Sequence, residues 1–428
     1  MKKLFLASLM LGFALFANAQ TGINSPYSQF GMGVLADQTS GFNRGMNGVG
    51  LAFHEHNQVN YINPASYSSL DSLTFIFDAG VSGQITNFSE NGVRKNAKNA
   101  NFEYVVAGLR LAKNLGLSFG IVPFSNVGYS YGNSGWVDSE AKDVSFTNTY
   151  SGEGGFHQVY LGAGYSPFKG FSFGANVSYF WGKYDRKVKN TMSSSSVNTL
   201  TRNYYAQVNS YKLDFGVQYT HQIAKQDWLT VGVTFSPGHS LGATANLYQI
   251  KTDVMTGVND TTTMSLGGKA LSLPTTYGLG VMWNHAAQWK VGLDYTLQKW
   301  GSLESPEFDG TNYVLMKGIY KDRHKVNLGA QYCYDERHRN FFKRVQYRAG
   351  VSYATPYYKI NGSDGPKDLS VSAGFGIPIV NSYNNRSYLN ISGQWVQTNA
   401  SGFIKENTFR INVGFTFNED WFKKWKMQ

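Results

Sequence analysis

Apolar and polar residues alternate one for one along much of this chain. Phe171, Phe173, Ala175, Val177, Tyr179 and Trp181 fall on one side of a stretch whose other side carries Ser172, Gly174, Asn176 and Ser178. The same split sets Phe409, Ile411, Val413, Phe415 and Phe417 against Arg410, Asn412, Gly414 and Thr416, and Val326, Leu328, Ala330, Tyr332 and Tyr334 against Lys325, Asn327, Gly329, Gln331 and Cys333. A period of two marks a strand with two unlike faces. Applied to the whole chain, it predicts fourteen strands, near 73–81, 103–112, 115–124, 156–166, 169–181, 211–221, 227–236, 276–285, 288–299, 324–334, 345–354, 368–377, 387–397 and 408–417. Each is close to the ~9–11 residues that a tilted strand uses to cross a bilayer.

The connections alternate as well. Lys113-Asn114, Pro167–Gly170, Ile223–Gln226 and Ala286–Gln288 are short and follow even-numbered strands, whereas 82–102, 125–155, 182–210, 237–275 and 300–323 read as long loops after odd-numbered ones. Short periplasmic turns, long outer loops and an even strand count are the pattern of an outer-membrane barrel with both ends in the periplasm. Trp181, Trp283, Trp289, Trp300, Tyr165, Tyr219 and Tyr353 fall toward the ends of apolar faces, as interfacial girdles do. No 40–50-residue repeat of a propeller is visible. The fold class is therefore all-β, a transmembrane antiparallel β-barrel of fourteen strands. "NVGFTF" (Asn412–Phe417) has the polar-x-Gly-x-x-aromatic form of a terminal assembly signal, and 418–428 follows it as an expected periplasmic tail.

At the other end, Lys2 and Lys3 precede an uncharged run from Leu4 to Ala17 and an Ala17-Asn18-Ala19 cleavage site. This reads as a signal peptide, residues 1–19, cleaved near Ala19, so the mature chain is exported, and with the barrel pattern the expected location is the cell outer membrane of a Gram-negative bacterium. No later stretch is apolar for long enough to form a spanning helix. A single cysteine, Cys333, gives no intrachain disulfide framework. The formal charge of +11 falls to +9 without the two leader lysines. In an exported barrel this excess points to outer-membrane lipid headgroups and lipopolysaccharide phosphates, and away from nucleic acid.

"RGMNGVGLAFHEHNQVNYINPASYSSL" (Arg44–Leu70) resembles the N-terminal segment of FadL-type outer-membrane transporters of long-chain fatty acids and other hydrophobic compounds. Gly152–Gly182, Leu273–Val281 and Val291–Trp300 resemble strand blocks of that family, and "NSPYSQFGMG" is similar in style to Bacteroidota members. The resemblance implies a fourteen-stranded barrel with an N-terminal hatch segment in the lumen, here 20–72, ahead of a barrel over 73–417. A lumen this wide must be filled or it becomes a pore, and Gly45, Gly48 and Gly50 would let the segment's backbone come close to the wall. Asn63, Pro64 and Ala65 form a candidate hatch element, since Pro64 has no donor for a ladder. The family's lateral opening, at a kink in strand 3, maps onto Gly120, Pro123 and Asn126. Arg110, Asp214, Asp294, Lys325, Arg348 and Arg410 are inward-facing candidates for ion pairs or for holding a carboxylate head.

No catalytic constellation emerges. His54-Glu55-His56 lacks a third ligand at metal spacing. Gly238-His239-Ser240-Leu241-Gly242 matches G-x-S-x-G, but without the strand-turn-helix setting of a nucleophile elbow. Gly45–Gly50 has no P-loop lysine. The expectation is a protein that is not an enzyme, has no cofactor or metal, and takes up a hydrophobic, fatty-acid-like small molecule passively through a hatch-gated lumen and a lateral opening. The alternative is a scaffold or shuttle barrel, of the type IX secretion kind, with outer-membrane protein partners.

Overall fold

The computed structural model describes residues 22–138, 140–379 and 387–420. The stretch expected to be a signal peptide, 1–19, and most of the expected tail, 421–428, lie outside them. Among the described residues, fourteen antiparallel strands form one closed wall: β1 Thr74–Glu90, β2 Val93–Ala112, β3 Leu115–Trp136, β4 Ser145–Phe168, β5 Phe171–Met192, β6 Thr199–Gln222 and β7 Asp227–Ser236, then β8 Thr276–His285, β9 Trp289–Gln298, β10 Arg323–Tyr332, β11 Gln346–Ala354, β12 Lys367–Ile379, β13 Ser387–Asn399 and β14 Lys405–Asp420. Each pairs with the next, and β14 pairs with β1 from Thr74↔Asp420 to Ser89↔Lys405, which closes the barrel.

The alternation maps onto lipid and lumen as the sequence implies. Val177, Phe173, Leu279, Leu293, Ile411 and Val413 stand exposed on the outer face, while Ser178, Asn176, Asp294 and Asn412 are buried on the inner one. Tyr165, Tyr219, Trp283 and Trp289 are exposed near the short-turn end, as a girdle requires. Trp300 is not part of it. It is fully buried beneath the outer loops, with its ring against those of Tyr320 and Tyr357.

The wall is far taller on one side than the sequence suggests. β1 to β6 run for 17 to 24 residues, against 9 to 13 for β7 to β13. The links read as loops at 82–102, 125–155 and 182–210 are mostly the upper parts of these strands. The reason is physical: above the bilayer neither face meets lipid, so apolar alternation fades although the ladder continues. Part of 237–275 is also sheet, with Thr244–Thr252 paired to Thr199–Gln207 of β6 and to Asn259–Leu266. The tip joining β1 to β2 is Asn91-Gly92, both at positive φ, as a two-residue hairpin turn requires. β14 runs to Asp420, so it extends into the stretch read as tail.

Candidate functional site

Residues 22–73 make no wall strand and are largely buried. Their second half, from the helical turn Gly41–Arg44 to the 3₁₀ turn Pro64–Ser69, is fitted against rows of glycine in the wall. Gly116, Gly164, Gly174 and Gly216 are register partners across β3, β4, β5 and β6. A Cβ on Gly174 would sit 2.5 Å from the Pro64 carbonyl oxygen, and Cβ atoms on the other three would strike Tyr67, Pro64 and Asn63. A second row, Gly292, Gly329 and Gly350 of β9 to β11, meets Val49 and Met46, and the pair Gly232 and Gly280 meets Leu51 and Ala52. Inward glycines recur in the sequence at these phases, but their shared register emerges only once strands are paired.

Asn63, Pro64 and Ala65 thus lie on the first glycine row. The Asn63 Oδ1 accepts from the Ala65 amide (3.1 Å), capping the turn, and its Nδ2 donates to the Leu51 carbonyl (2.7 Å). Of the three glycines read as close-approach positions, Gly45 lies over the Arg348 side chain, Gly48 adopts φ +90°, and Gly50 donates its amide to Asp294 at 2.6 Å. Leu51 donates to the same carboxylate oxygen at 2.9 Å. A buried ion pair adds to this: Arg44 donates to Glu103 of β2 (2.8 Å) and to Asn412 of β14 (3.1 Å).

The first half of the segment lies against a gap in the wall. β2 and β3 pair only from the turn up to Val105↔Ile121. Above that, β2 remains paired to β1 and β3 to β4, but not to each other, and β3 is irregular between Pro123 and Ser125. Residues 22–38 run along this free edge. Val34 and Leu35 pair with Asn126 and Ser125. The Ala36 amide donates to the Phe124 carbonyl (2.9 Å), the Ser25 amide to Gly128 (2.9 Å), and the Gln38 side chain to Pro123 (2.5 Å). Gly22 comes up against Ala100 and Asn101 of β2. Of the residues expected at a lateral portal, Gly120 lies just below the point where the ladder parts, Pro123 at the irregularity, and Asn126 beside the inserted strand.

The six inward-facing charged candidates divide. Asp214 is held by Lys212 and Ser236. Lys325 and Arg410 both reach Asp37 of the N-terminal segment at 3.3 Å, from β10 and β14. Burial alone raises the Asp37 carboxyl, but Lys325, Arg410 and Arg44 more than reverse this and hold it well below the usual carboxylate range. Arg348 donates to Gln331 (2.7 Å), Asn390 (2.6 Å) and Gln346, all amide oxygens. Arg110 does not join the others: it lies near the β2–β3 turn, donating to the Ala112 carbonyl. Asp214, Asp294 and Lys325 border one lumenal cavity of about 190 Å³, and Lys325 and Arg410 a second of about 130 Å³. Both fall below the ~300–1,000 Å³ of small-molecule sites. Above them Tyr27, Phe124, Phe156, Phe180, Leu247, Leu271 and Trp300 belong to one buried apolar cluster that fills the outer end.

The motifs set aside as chemistry are engaged elsewhere. His54 bonds to Gln218 (2.7 Å), Glu55 to Lys290 (2.5 Å) and His56 to Asp71 (2.9 Å), so the three side chains diverge. Ser240 lies in the two-residue strand His239–Ser240, which pairs with Ser272–Leu273.

A family model described as BamG matches residues 1–428. The chain belongs to the BamG family. The FadL-type resemblance seen in the sequence is carried by the fold of this BamG-family chain, while the family it matches bears a different label. Among curated proteins, none matches its sequence. A FadL homologue of Pseudomonas aeruginosa has a TM-score of 0.63 with 11% identity, covering 91% of this chain and 99% of the other. The toluene transporter TbuX of Ralstonia pickettii gives 0.59 with 13% identity (89% and 98%), and the toluene transporter TodX of Pseudomonas putida 0.59 with 15% (90% and 100%). At these identities the likeness establishes the barrel fold of the BamG-family chain, which is that of outer-membrane channels.

Proposed function

We propose that this protein serves as a filled barrel on which other outer-membrane proteins assemble, the scaffold alternative of the sequence reading. The observation that carries it is the pair of glycine rows. They fit the wall closely to residues 41–70, at Gly116, Gly174, Gly232 and Gly350 to the backbone itself, so moving a side chain alone does not open the lumen there. The two lumenal cavities bordered by these charges, about 190 and 130 Å³, are small for a ligand, although apolar side chains such as Leu51, Ile62 and Phe124 share the lining of the first. The raised wall of β1 to β6 extends beyond the apolar band and would give a protein partner a surface to dock on.

A second reading is favoured by the parted β2–β3 ladder. In it, small apolar molecules, of the kind named for the solved barrels or fatty-acid-like, leave sideways past Gly120, Pro123 and Asn126 once residues 22–38 withdraw. One experiment separates the two readings. Leu35 and Ser125 are register partners, so Leu35→Cys with Ser125→Cys offers a disulfide lock on the seam. A scaffold keeps its stoichiometric protein partner in mild detergent and complements a deletion strain when locked. A lateral transporter loses uptake when locked and regains it on reduction. Loss of complementation that reductant restores, with no protein partner retained, overturns the scaffold reading.

A further inference from the structure

We propose that the outer face of β14, β1 and β2, just above the apolar band, binds the phosphate groups of an outer-leaflet glycolipid. Three successive rungs cross these strands. Lys405, Ser89 and Arg94 form the highest, Asn407, Asn87 and Asn96 the next, and Phe409, Ile85 and Lys98 the third. All nine share the outward phase of β1, because residues 81, 83 and 85 are exposed while 82, 84 and 86 are buried. On the third rung Phe409 and Ile85 are 52% and 41% exposed, and below it come Ile411, Val413, Val81 and Phe102, all lipid-facing. The change from apolar to polar surface therefore falls within this patch. Its cations sit at the height where headgroup phosphates of the adjoining leaflet lie.

The first two rungs also border an open recess of about 820 Å³, lined by all six of their residues together with Phe88 and Lys95 of the rung between them. Amide and hydroxyl donors thus accompany the cations, which suits phosphate oxygens better than a bare charge cluster does. No carboxylate shares this face. Glu406 points inward and accepts from the Ser25 hydroxyl at 2.7 Å, and Glu90 has the inward phase. Among the described residues, none of Arg94, Lys98 and Lys405 forms an ion pair. The other outer basic stripe, Lys183, Lys187 and Lys189 on β5, differs: Asp185 lies 3.5 Å from Lys187, and Glu153 is its register partner on β4. That stripe is partly neutralised from within, whereas the β14–β1–β2 patch has only an external partner to meet its charge.

The leaflet follows from the topology. The β1–β2 tip lies at the end opposite the short turns, which is the outer side of such barrels. There the abundant phosphorylated lipid is a glycolipid carrying phosphates on a sugar core. Arg94 and Lys98 are four residues apart on β2, a span of about 13 Å, which suits two phosphates at opposite ends of a disaccharide. This inference is independent of whether the lumen conducts.

The test is binding of purified lipopolysaccharide to the full-length barrel in neutral detergent, with a folding check by heat-modifiable gel mobility. Replacing Arg94, Lys98 and Lys405 together by Gln is expected to weaken binding by at least about tenfold, and replacing Lys183, Lys187 and Lys189 by Gln to leave it nearly unchanged. Removal of the lipid A phosphates is expected to abolish the difference between the parent and the first variant. Equal weakening by both triple variants, or unchanged binding in the first, overturns the proposal. So does phosphatidylglycerol in nanodiscs competing as well as lipopolysaccharide, which would assign the patch to phospholipid.

Discussion

Residues 41–70 and residues 22–38 enter the same barrel and are held by different physics. The first stretch is held by shape: wall glycines admit its backbone, and a buried Arg44–Glu103 pair and the Asp294 carboxylate fasten it. The second lies along the unpaired edge of β3 with strand-like hydrogen bonds, and is pinned besides by Tyr27 and Met32 in the outer apolar cluster and by Asp37 between Lys325 and Arg410. Close packing is lost all at once when one atom is added, whereas edge hydrogen bonds contribute about 0.5–1.5 kcal/mol each and can be exchanged singly. One continuous segment is thus fastened in two ways, by close fit to wall glycines in one part and by an edge ladder in the other.

The largest effect expected on this contrast comes from Gly174→Val. The added side chain meets the Pro64 carbonyl, which is backbone, so the cost exceeds the ~1–3 kcal/mol of ordinary overpacking. The expected outcome is loss of the heat-modifiable folded form. Gly393→Val serves as control, because the nearest atom to a Cβ there is 3.8 Å away. Arg44→Met comes next. It strands Glu103 in a buried site, and a loss of about 3–5 kcal/mol is expected in the unfolding free energy obtained from urea titration of the barrel. A barrel as stable as the parent would show that shape alone fixes residues 41–70.

Smaller effects belong to the seam. Ala36→Pro removes the amide that donates to Phe124. It should destabilise the barrel by only about 1 kcal/mol while exposing residues 22–38 to added protease. If the whole barrel unfolds with it, the two stretches are one cooperative unit and the contrast fails. The pH dependence has a definite sign. Asp37 is depressed in the folded state, so its attachment to Lys325 and Arg410 is in full force above the ordinary carboxylate range and is lost only as pH falls through its lowered value. Protease access to the seam should therefore stay flat from neutral to mildly acidic pH and rise only in strong acid; Asp37→Asn should show raised access throughout. The least effect concerns Cys333, just past the end of β10, where burial and the nearby Glu336 push the thiol up to about 11. It should resist maleimide at pH 7–8 in the folded protein, leaving a Cys introduced at Val34 as the sole fast-labelling thiol.

Sequence alone reached the strand number, the phase of the short turns and the inward side of Asp294, Lys325, Arg348 and Arg410. All of these follow from a period of two with lipid on one face. It missed the height of β1 to β6 because that signal depends on lipid, and the upper strands have none. It placed Trp300 in a girdle because a buried aromatic and an interfacial one look alike at a strand end. Pro123 marked the irregularity in β3, but the partner of the freed edge lay ninety residues away, in a stretch with no alternation of its own. Arg110 had the right phase and the wrong height, which residue order does not encode without the tilt of the strand.

The closure of β1 on β14 has a consequence for the order of assembly. The seam between them is formed by the first and last wall strands, over sixteen rungs from Thr74 to Ser89, so the ring stays open until the final strand is in place. Residues 41–70 are translated before any of it and end up girdled by glycines from strands all round the circumference. The glycine contacts leave no spare room between the insert and the wall. A wall that closes around its contents meets that fit without threading, and on that order the segment made first waits for the strand made last.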